Sequence, residues 1–185
     1  KLIDAQDDLS IQVHPNDEIA RKNHGEKNNG KAEMWYVMKA EPGAKLVVGF
    51  KKNINRQEYT NAVNDGTIAE LLQWVEVKPG DVVFIPPGRV HAIGKGILLA
   101  EIQQSSDITY RIHDYNRLDK DGRLRPLHIK EAQEVVVLEA VQQPIINYKS
   151  IPNEATTLVE CEHFVTNLLS VKSDMKRTYH QLDSF

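Results

Sequence analysis

The stretch Gly80-Asp81-Val82-Val83-Phe84-Ile85-Pro86-Pro87-Gly88-Arg89-Val90-His91 decides the fold of this chain. A Gly-Asp turn starts an apolar strand at Val82, and the Pro-Gly turn after Ile85 reverses the chain. His91 then stands at the start of the next strand, which gives the spacing G-x5-P-x-G-x2-H. The pattern predicts a β-hairpin that carries either a metal-ligating histidine or a partly exposed structural one.

Two further candidate ligands, Gln12 and His14, lie in the alternating segment Leu9-Ser10-Ile11-Gln12-Val13-His14. Residues two apart in a strand point to the same face, so both side chains can reach one point inside a barrel. Imidazole nitrogen and amide oxygen are both competent ligands for zinc or a similar divalent metal. The alternative is a polar strand face at the surface.

Most of the remaining chain shows short strand patterns separated by Gly/Pro turns, which predicts a mainly β sandwich or barrel. The strands are expected at 33–39, 44–50, 97–103 and 107–113, and later at 158–166 and 168–171. Helix-like spacing at 55–63 and 67–74 predicts a short helical insertion at about 53–74. A joining helix is expected at 128–137, and the polar stretch 21–30 is expected to be an exposed loop.

The hairpin motif resembles the second sequence motif of the cupin superfamily. The loop between His14 and Glu33 is longer than in the general cupin pattern, which points to one branch of the superfamily. The order of several motifs is similar to that of the type I mannose-6-phosphate isomerases in their short bacterial form. The motifs are Leu9–Asp17, Gly30–Tyr36, Ile85–Ile93, Glu101–Asp107 and Tyr110–Tyr115, and the resemblance extends from Leu2 to about Phe164.

This resemblance implies a cupin (jelly-roll-like) β-barrel over residues 1–140, with its opening strands missing, and the start of a second cupin domain at 150–185. It implies one Zn²⁺ per chain and matches four residues to the ligands, with Gln12 as an outer or weaker one: Gln12, His14, Glu33 and His91. It also implies an aldose–ketose isomerase that interconverts mannose-6-phosphate and fructose-6-phosphate.

Three further residues match catalytic or pocket positions of that family: Arg111, Glu101 and Lys31. Arginine stays protonated, so Arg111 is expected to stabilise enediolate charge or hold phosphate. Glu101 or a metal-bound water would move the proton between C1 and C2, and Lys31 would contact phosphate or the oxyanion. Taken alone, Arg111 and Lys31 would be read as surface residues, whereas Glu101 lies in an apolar run where an unpaired carboxylate is costly.

Composition limits the classes of function. The net charge of −3 argues against binding to nucleic acid or to an anionic membrane surface, because such binding requires a concentrated basic face. The single cysteine excludes an intrachain disulfide and favours a reducing, cytoplasmic location. We leave the other histidines as structural or solvent-facing: His24, His113, His128, His163 and His180.

Two main functional hypotheses and one weaker one remain from the sequence. The first is the isomerase, with a hexose phosphate as its small-molecule partner. The second is a non-catalytic cupin that binds a sugar or a metal, and a metal-dependent oxygenase is a weaker third. Three histidines and an apolar pocket are more usual in an oxygenase, so the glutamine and the cationic residues favour the isomerase.

Overall fold

The computed structural model describes residues 1–178 and divides the chain into two compact units, Lys1–Ile146 and a second unit that begins at Asn147. The assignment of residues 150–185 to a second cupin domain stays a prediction. His180 lies outside the described residues. No helix in the described part of the chain is both long and apolar enough to cross a bilayer.

The first unit consists of two antiparallel sheets, with the strand orders β1-β8-β3-β6 and β5-β4-β7-β2-β9. The strands are β1 (Leu2–Ala5), β2 (Ile11–Val13), β3 (Glu33–Ala40), β4 (Lys45–Phe50), β5 (Leu72–Glu76), β6 (Val82–Ile85), β7 (His91–Ile93), β8 (Ile97–Gln103) and β9 (Tyr110–His113). The mainly β, cupin-type fold predicted from the sequence is confirmed.

One hydrophobic core fills the space between the two sheets. Its members alternate along strands of both sheets, as Trp35 and Leu99 do in one sheet and Val48 and Ile93 in the other. Because successive side chains of a strand point to opposite faces, the polar residues in register with these positions also point inward. His91, which pairs with Val48 and with Gln12, is one of them.

A second core covers the outer face of the five-stranded sheet. Ile11 and Val13 of β2 pack there with residues of the helical segments, among them Tyr59 and Ala132. The segments are α2 (Arg56–Asn64), a single 3₁₀ turn (Ile68–Glu70) and α3 (Ile129–Val135). The helices therefore shield the back of the strand whose front carries Gln12 and His14.

One loop prediction and one helix prediction were wrong. Residues 21–30 are not all loop, because α1 (Asp17–His24) extends into them; Asn16 caps it by accepting a hydrogen bond from the Ile19 N–H, with Asp17 and Glu18 in the first turn. Residues 67–74 form only one 3₁₀ turn before β5. Pairing of β5 with β4 overrides the helical spacing of this segment.

The second unit contains a hairpin in which β10 (Ala155–Glu160) pairs with β11 (Val165–Leu169). The predicted strand 158–166 is therefore interrupted by a turn, which the Cys161 N–H closes by donating to the Phe164 carbonyl at 3.0 Å. Leu158 and Val159 are buried.

Candidate metal centre

Three side chains from three strands meet between the sheets and could together hold a metal ion. His14 follows β2, Glu33 begins β3 and His91 begins β7. One ligand atom from each lies within 4.8 Å of the others, and all three residues are buried. The two histidine Nε2 atoms are 3.1 Å apart, and Glu33 oxygens lie 3.3 Å from His14 Nε2 and 3.6 Å from His91 Nε2.

The Pro-Gly turn holds the hairpin against the His14 strand. Gly88 has φ 84°, a conformation that favours glycine, and its N–H donates to the His14 carbonyl at 2.9 Å. A Cβ at this position would lie 2.8 Å from the Val135 carbonyl oxygen. The glycine of the motif is thus needed for close packing, which places His91 beside His14.

Each histidine is oriented by a main-chain carbonyl. His14 Nδ1 donates to the Ile108 carbonyl and His91 Nδ1 to the Arg89 carbonyl, both at 2.8 Å. Since a carbonyl oxygen only accepts, the neutral imidazole keeps its lone pair on Nε2, which faces the cluster. Burial lowers the pKa of His91 to about 3, so this ring is neutral at neutral pH.

Glu33 shows why a cation fits this centre. It is 1 % exposed, and apart from the Lys31 ion pair at Oε1 neither carboxylate oxygen has a hydrogen-bond partner within the described structure. Burial alone would raise its pKa, but the polar contact with His14 and the nearby cationic charge, which includes the Lys31 ammonium, outweigh burial and hold the pKa well below its usual range. Two imidazole lone pairs and one ionised carboxylate form a donor set that suits zinc.

Gln12 lies at the edge of the cluster. Its amide Nε2 is 3.4 Å from His91 Nε2, and its strand position pairs with both His91 and Arg111. This placement is compatible with an outer or weaker ligand.

Lys31 and Glu101 surround the same centre. Lys31 is 6 % exposed, and its Nζ forms an ion pair with Glu33 Oε1 at 2.7 Å. Glu101 is buried on β8, where its Oε2 accepts a hydrogen bond from Trp35 Nε1 at 3.1 Å. Burial and the charge of Glu33 raise the pKa of Glu101. Trp35 also packs edge-on against the His91 ring, at 5.5 Å between ring centroids.

Arg111 shares the inward face of its sheet with Gln12, because the two residues are register partners on β9 and β2. Its guanidinium is held by two neighbours: Nε donates to Ser10 Oγ at 3.4 Å and Nη1 donates to the Pro126 carbonyl at 2.9 Å. Burial, and then the charges of Arg125 and Arg117, lower the pKa of Arg111.

Four residues that surround or support Arg111 had not been predicted as part of the site: Ser10, Asp114, Arg125 and Pro126. Ser10 had a usable signal, because it shares the strand face of Gln12. The other three lie on an irregular segment between β9 and α3, where periodicity carries no information.

The two sheets and the buried cluster define a cupin-type β-barrel with a candidate metal centre. Over 166 residues the chain is 43 % identical to the mannose-6-phosphate isomerase ManA of Bacillus subtilis, a match that covers 89 % of this chain and 52 % of that protein. It is 39 % identical to a mannose-6-phosphate isomerase of Streptococcus mutans, over 90 % of this chain and 52 % of the relative. The chain is thus a homologue of the mannose-6-phosphate isomerases, as its motifs predicted.

A solved structure agrees with this relationship. The crystal structure of the mannose 6-phosphate isomerase from Bacillus subtilis superposes with a TM-score of 0.80 and 36 % identity, over 89 % of this chain and 52 % of that one. The chain spans about half the length of the curated relatives it matches. A scan against protein-family models gave no match.

Proposed function

We propose that the protein is a cytoplasmic mannose-6-phosphate isomerase, which moves a proton between C1 and C2 of an open hexose phosphate through an enediol. The buried cluster of His14, Glu33 and His91, with cationic side chains beside it, is the observation that carries this proposal. The homology supports the same reaction.

One zinc ion would be held by His14, Glu33 and His91, with Gln12 as a weaker contact. When bound, zinc would supply Lewis-acid polarisation of the sugar oxygens at C1 and C2. Burial of the ligands keeps their geometry fixed and excludes competing water from the donor atoms.

Arg111 and Lys31 would supply the positive charge that the substrate needs. The substrate carries a phosphate, and the enediol step develops negative charge on oxygen. A guanidinium with several directed donors suits either anion, whereas the Lys31 ammonium acts as a point charge. Arg111 is assigned to the developing charge because its register partner, Gln12, contacts His91 in the cluster.

Glu101 is the proton carrier in this proposal. Its pKa is raised by burial and by the charge of Glu33, which brings the carboxyl group closer to the range where proton uptake and release are balanced near neutral pH. The Trp35 N–H holds one of its oxygens, and Lys1 Nζ lies 3.8 Å from the other.

The test is metal content and isomerase activity of the full-length protein, with His14→Ala, Arg111→Ala and the exposed control Arg123→Ala measured alongside. We expect about one zinc per chain, loss of zinc in His14→Ala, and loss of turnover with zinc retained in Arg111→Ala. Arg123→Ala should keep both.

The opposite result is equally informative. If metal binds but no hexose phosphate is isomerised, the enzyme proposal fails and the protein is a sugar- or metal-binding cupin. If Arg111→Ala turns over normally, the role assigned to that residue is wrong.

A further inference from the structure

A network of charged side chains surrounds the segment that follows β9. Asp114, which is only 5 % exposed, accepts hydrogen bonds from Arg117 Nη2 and Arg125 Nε, each at 2.6 Å, and a further one from Arg125 Nη2. Arg117 Nη1 in turn donates to the Asp8 carbonyl. One buried carboxylate therefore ties together both ends of the segment between residues 114 and 125.

This segment also contacts Arg111 directly. The residue after Arg125 is Pro126, whose carbonyl accepts the hydrogen bond from Arg111 Nη1 at 2.9 Å. Two residues further on, the His128 N–H donates to the Arg111 carbonyl at 2.8 Å, and His128 Nδ1 accepts from the Arg111 N–H at 3.2 Å. Anchoring of Arg125 thus fixes the acceptor that holds the Arg111 guanidinium.

We propose that Asp114 is a positioning residue for Arg111, which it orients through Arg125 and the Pro126 carbonyl. This inference rests on the proposed function of Arg111. Asp114 also compensates the positive charges of Arg111, Arg117 and Arg125. The charges of Arg117 and Arg125 disfavour the protonated Arg111 guanidinium, and the charge of Asp114 favours it. Without that carboxylate the arginines would repel one another and release the segment.

The first measurement is kcat and KM for mannose-6-phosphate in the full-length protein, with zinc content determined for every variant. Asp114→Asn preserves side-chain shape and removes the charge. We expect kcat to fall roughly 10- to 100-fold with KM changed less than about threefold, because a small misplacement of a catalytic group acts on the transition state. The matched control Asp121→Asn, in an exposed part of the same segment, should change neither constant.

A double-mutant cycle separates positioning from general destabilisation. In Arg111→Lys the side chain can no longer donate to Ser10 and to the Pro126 carbonyl at the same time, so no positioned guanidinium is left to disturb. Asp114→Asn should therefore change kcat less than about twofold in an Arg111→Lys background. An equal loss in both backgrounds, or no loss in the wild-type background, overturns the proposal. If Asp114→Asn fails to fold, Arg125→Lys is carried through the same cycle, because it keeps the charge and loses the two-point contact.

An activity-independent measurement distinguishes failure of this inference from failure of the proposed function. In ¹⁵N-arginine spectra, an immobilised Arg111 should give a slowly exchanging Nε–H signal, assigned by its absence in Arg111→Lys. Selective loss of this signal in Asp114→Asn supports positioning even if the wild type isomerises no hexose phosphate. A signal that persists in Asp114→Asn overturns it.

Discussion

Lys31 Nζ lies 2.7 Å from Glu33 Oε1, so an ammonium group neutralises the same carboxylate that faces the two histidines. Lys31→Met should therefore leave zinc affinity unchanged or strengthen it by up to about tenfold, because a competing positive charge is removed. Turnover should fall roughly 100-fold, because a cation for the substrate is lost. Zinc titration and steady-state kinetics measure the two effects.

The exposed loop residue Lys27 provides a control for Lys31. Lys27→Met should alter neither quantity. If Lys31→Met loses zinc and activity together, Lys31 supports the ligand geometry and its assignment to substrate charge is wrong.

Removal of the metal should destabilise the first unit. An ion that binds only the folded chain adds about 2.7 kcal/mol when its free concentration is 100 times Kd. We expect a chelator to lower the Tm of the wild type and to have no effect on His91→Ala. Scanning calorimetry with and without chelator checks this prediction.

His163 is an exposed histidine of the second unit and serves as the matched control. His163→Ala should keep the full chelator-induced shift in Tm. A shift of the same size in His91→Ala would place the bound ion elsewhere.

Stability should depend on pH through Asp114. Burial alone would raise its pKa, but hydrogen bonds from Arg125 and Arg117 outweigh burial and lower it. A lowered pKa stabilises the fold above the unfolded value of about 3.9, and this contribution is lost as pH falls through the folded value.

We therefore expect Asp114→Asn to lose about 1.5–3 kcal/mol of unfolding free energy at pH 7, the usual contribution of hydrogen bonds to a charged group. The difference from wild type should narrow below about pH 4. Denaturant titrations across this range test the sign, and a difference that widens on acidification would contradict it. Asp121→Asn should stay within about 0.5 kcal/mol of wild type at every pH.

Tyr59 should be replaceable by phenylalanine without loss of stability. Its ring packs in the second core, on the outer face of the five-stranded sheet, with 6.3 Å between the centroids of the Tyr59 and Phe50 rings. Its buried hydroxyl has no hydrogen-bond partner among the described residues. Burial raises the pKa of Tyr59 to about 12. Removal of an unsatisfied hydroxyl should be neutral or stabilise the fold by about 1 kcal/mol.

Tyr110→Phe is the comparison, because the Tyr110 hydroxyl is 2.9 Å from His24 Nε2. Its loss should cost about 1 kcal/mol in a denaturant titration. Equal effects of the two substitutions would show that the Tyr59 hydroxyl is satisfied in solution.

The sequence predicted those parts of the molecule that depend on local periodicity and turn chemistry. Alternation places Gln12 and His14 on one face, and the Pro-Gly turn explains why His91 returns to that face. Glu33 was predicted as a ligand only from the resemblance, because it lies far along the chain from His14 and His91 and no local pattern marks it. Predictions failed where tertiary pairing decides, as at Leu72–Glu76, and where capping starts a helix in a polar stretch, as at Asn16.

Apart from Ser10, the residues that support Arg111 could not be predicted either. Asp114, Arg125 and Pro126 act through an irregular segment, and Tyr115 and Asn116 within it both have positive φ. Such backbone is specified by contacts across the fold and not by a repeating pattern. The Asp114 carboxylate accepts hydrogen bonds from Arg117 and Arg125, which lie three and eleven residues further along the chain.

The three candidate ligands come from both layers of the barrel. Glu33 lies on β3 of the four-stranded sheet, whereas His14 and His91 lie at β2 and β7 of the five-stranded sheet. An ion bound there is a cross-link between the layers, and the complete donor set exists only after they have closed on each other. We expect the metal to bind after the barrel has folded, so that it stabilises the folded state and does not direct folding. The kinetic signature would be a refolding rate independent of zinc concentration, together with unfolding that zinc slows.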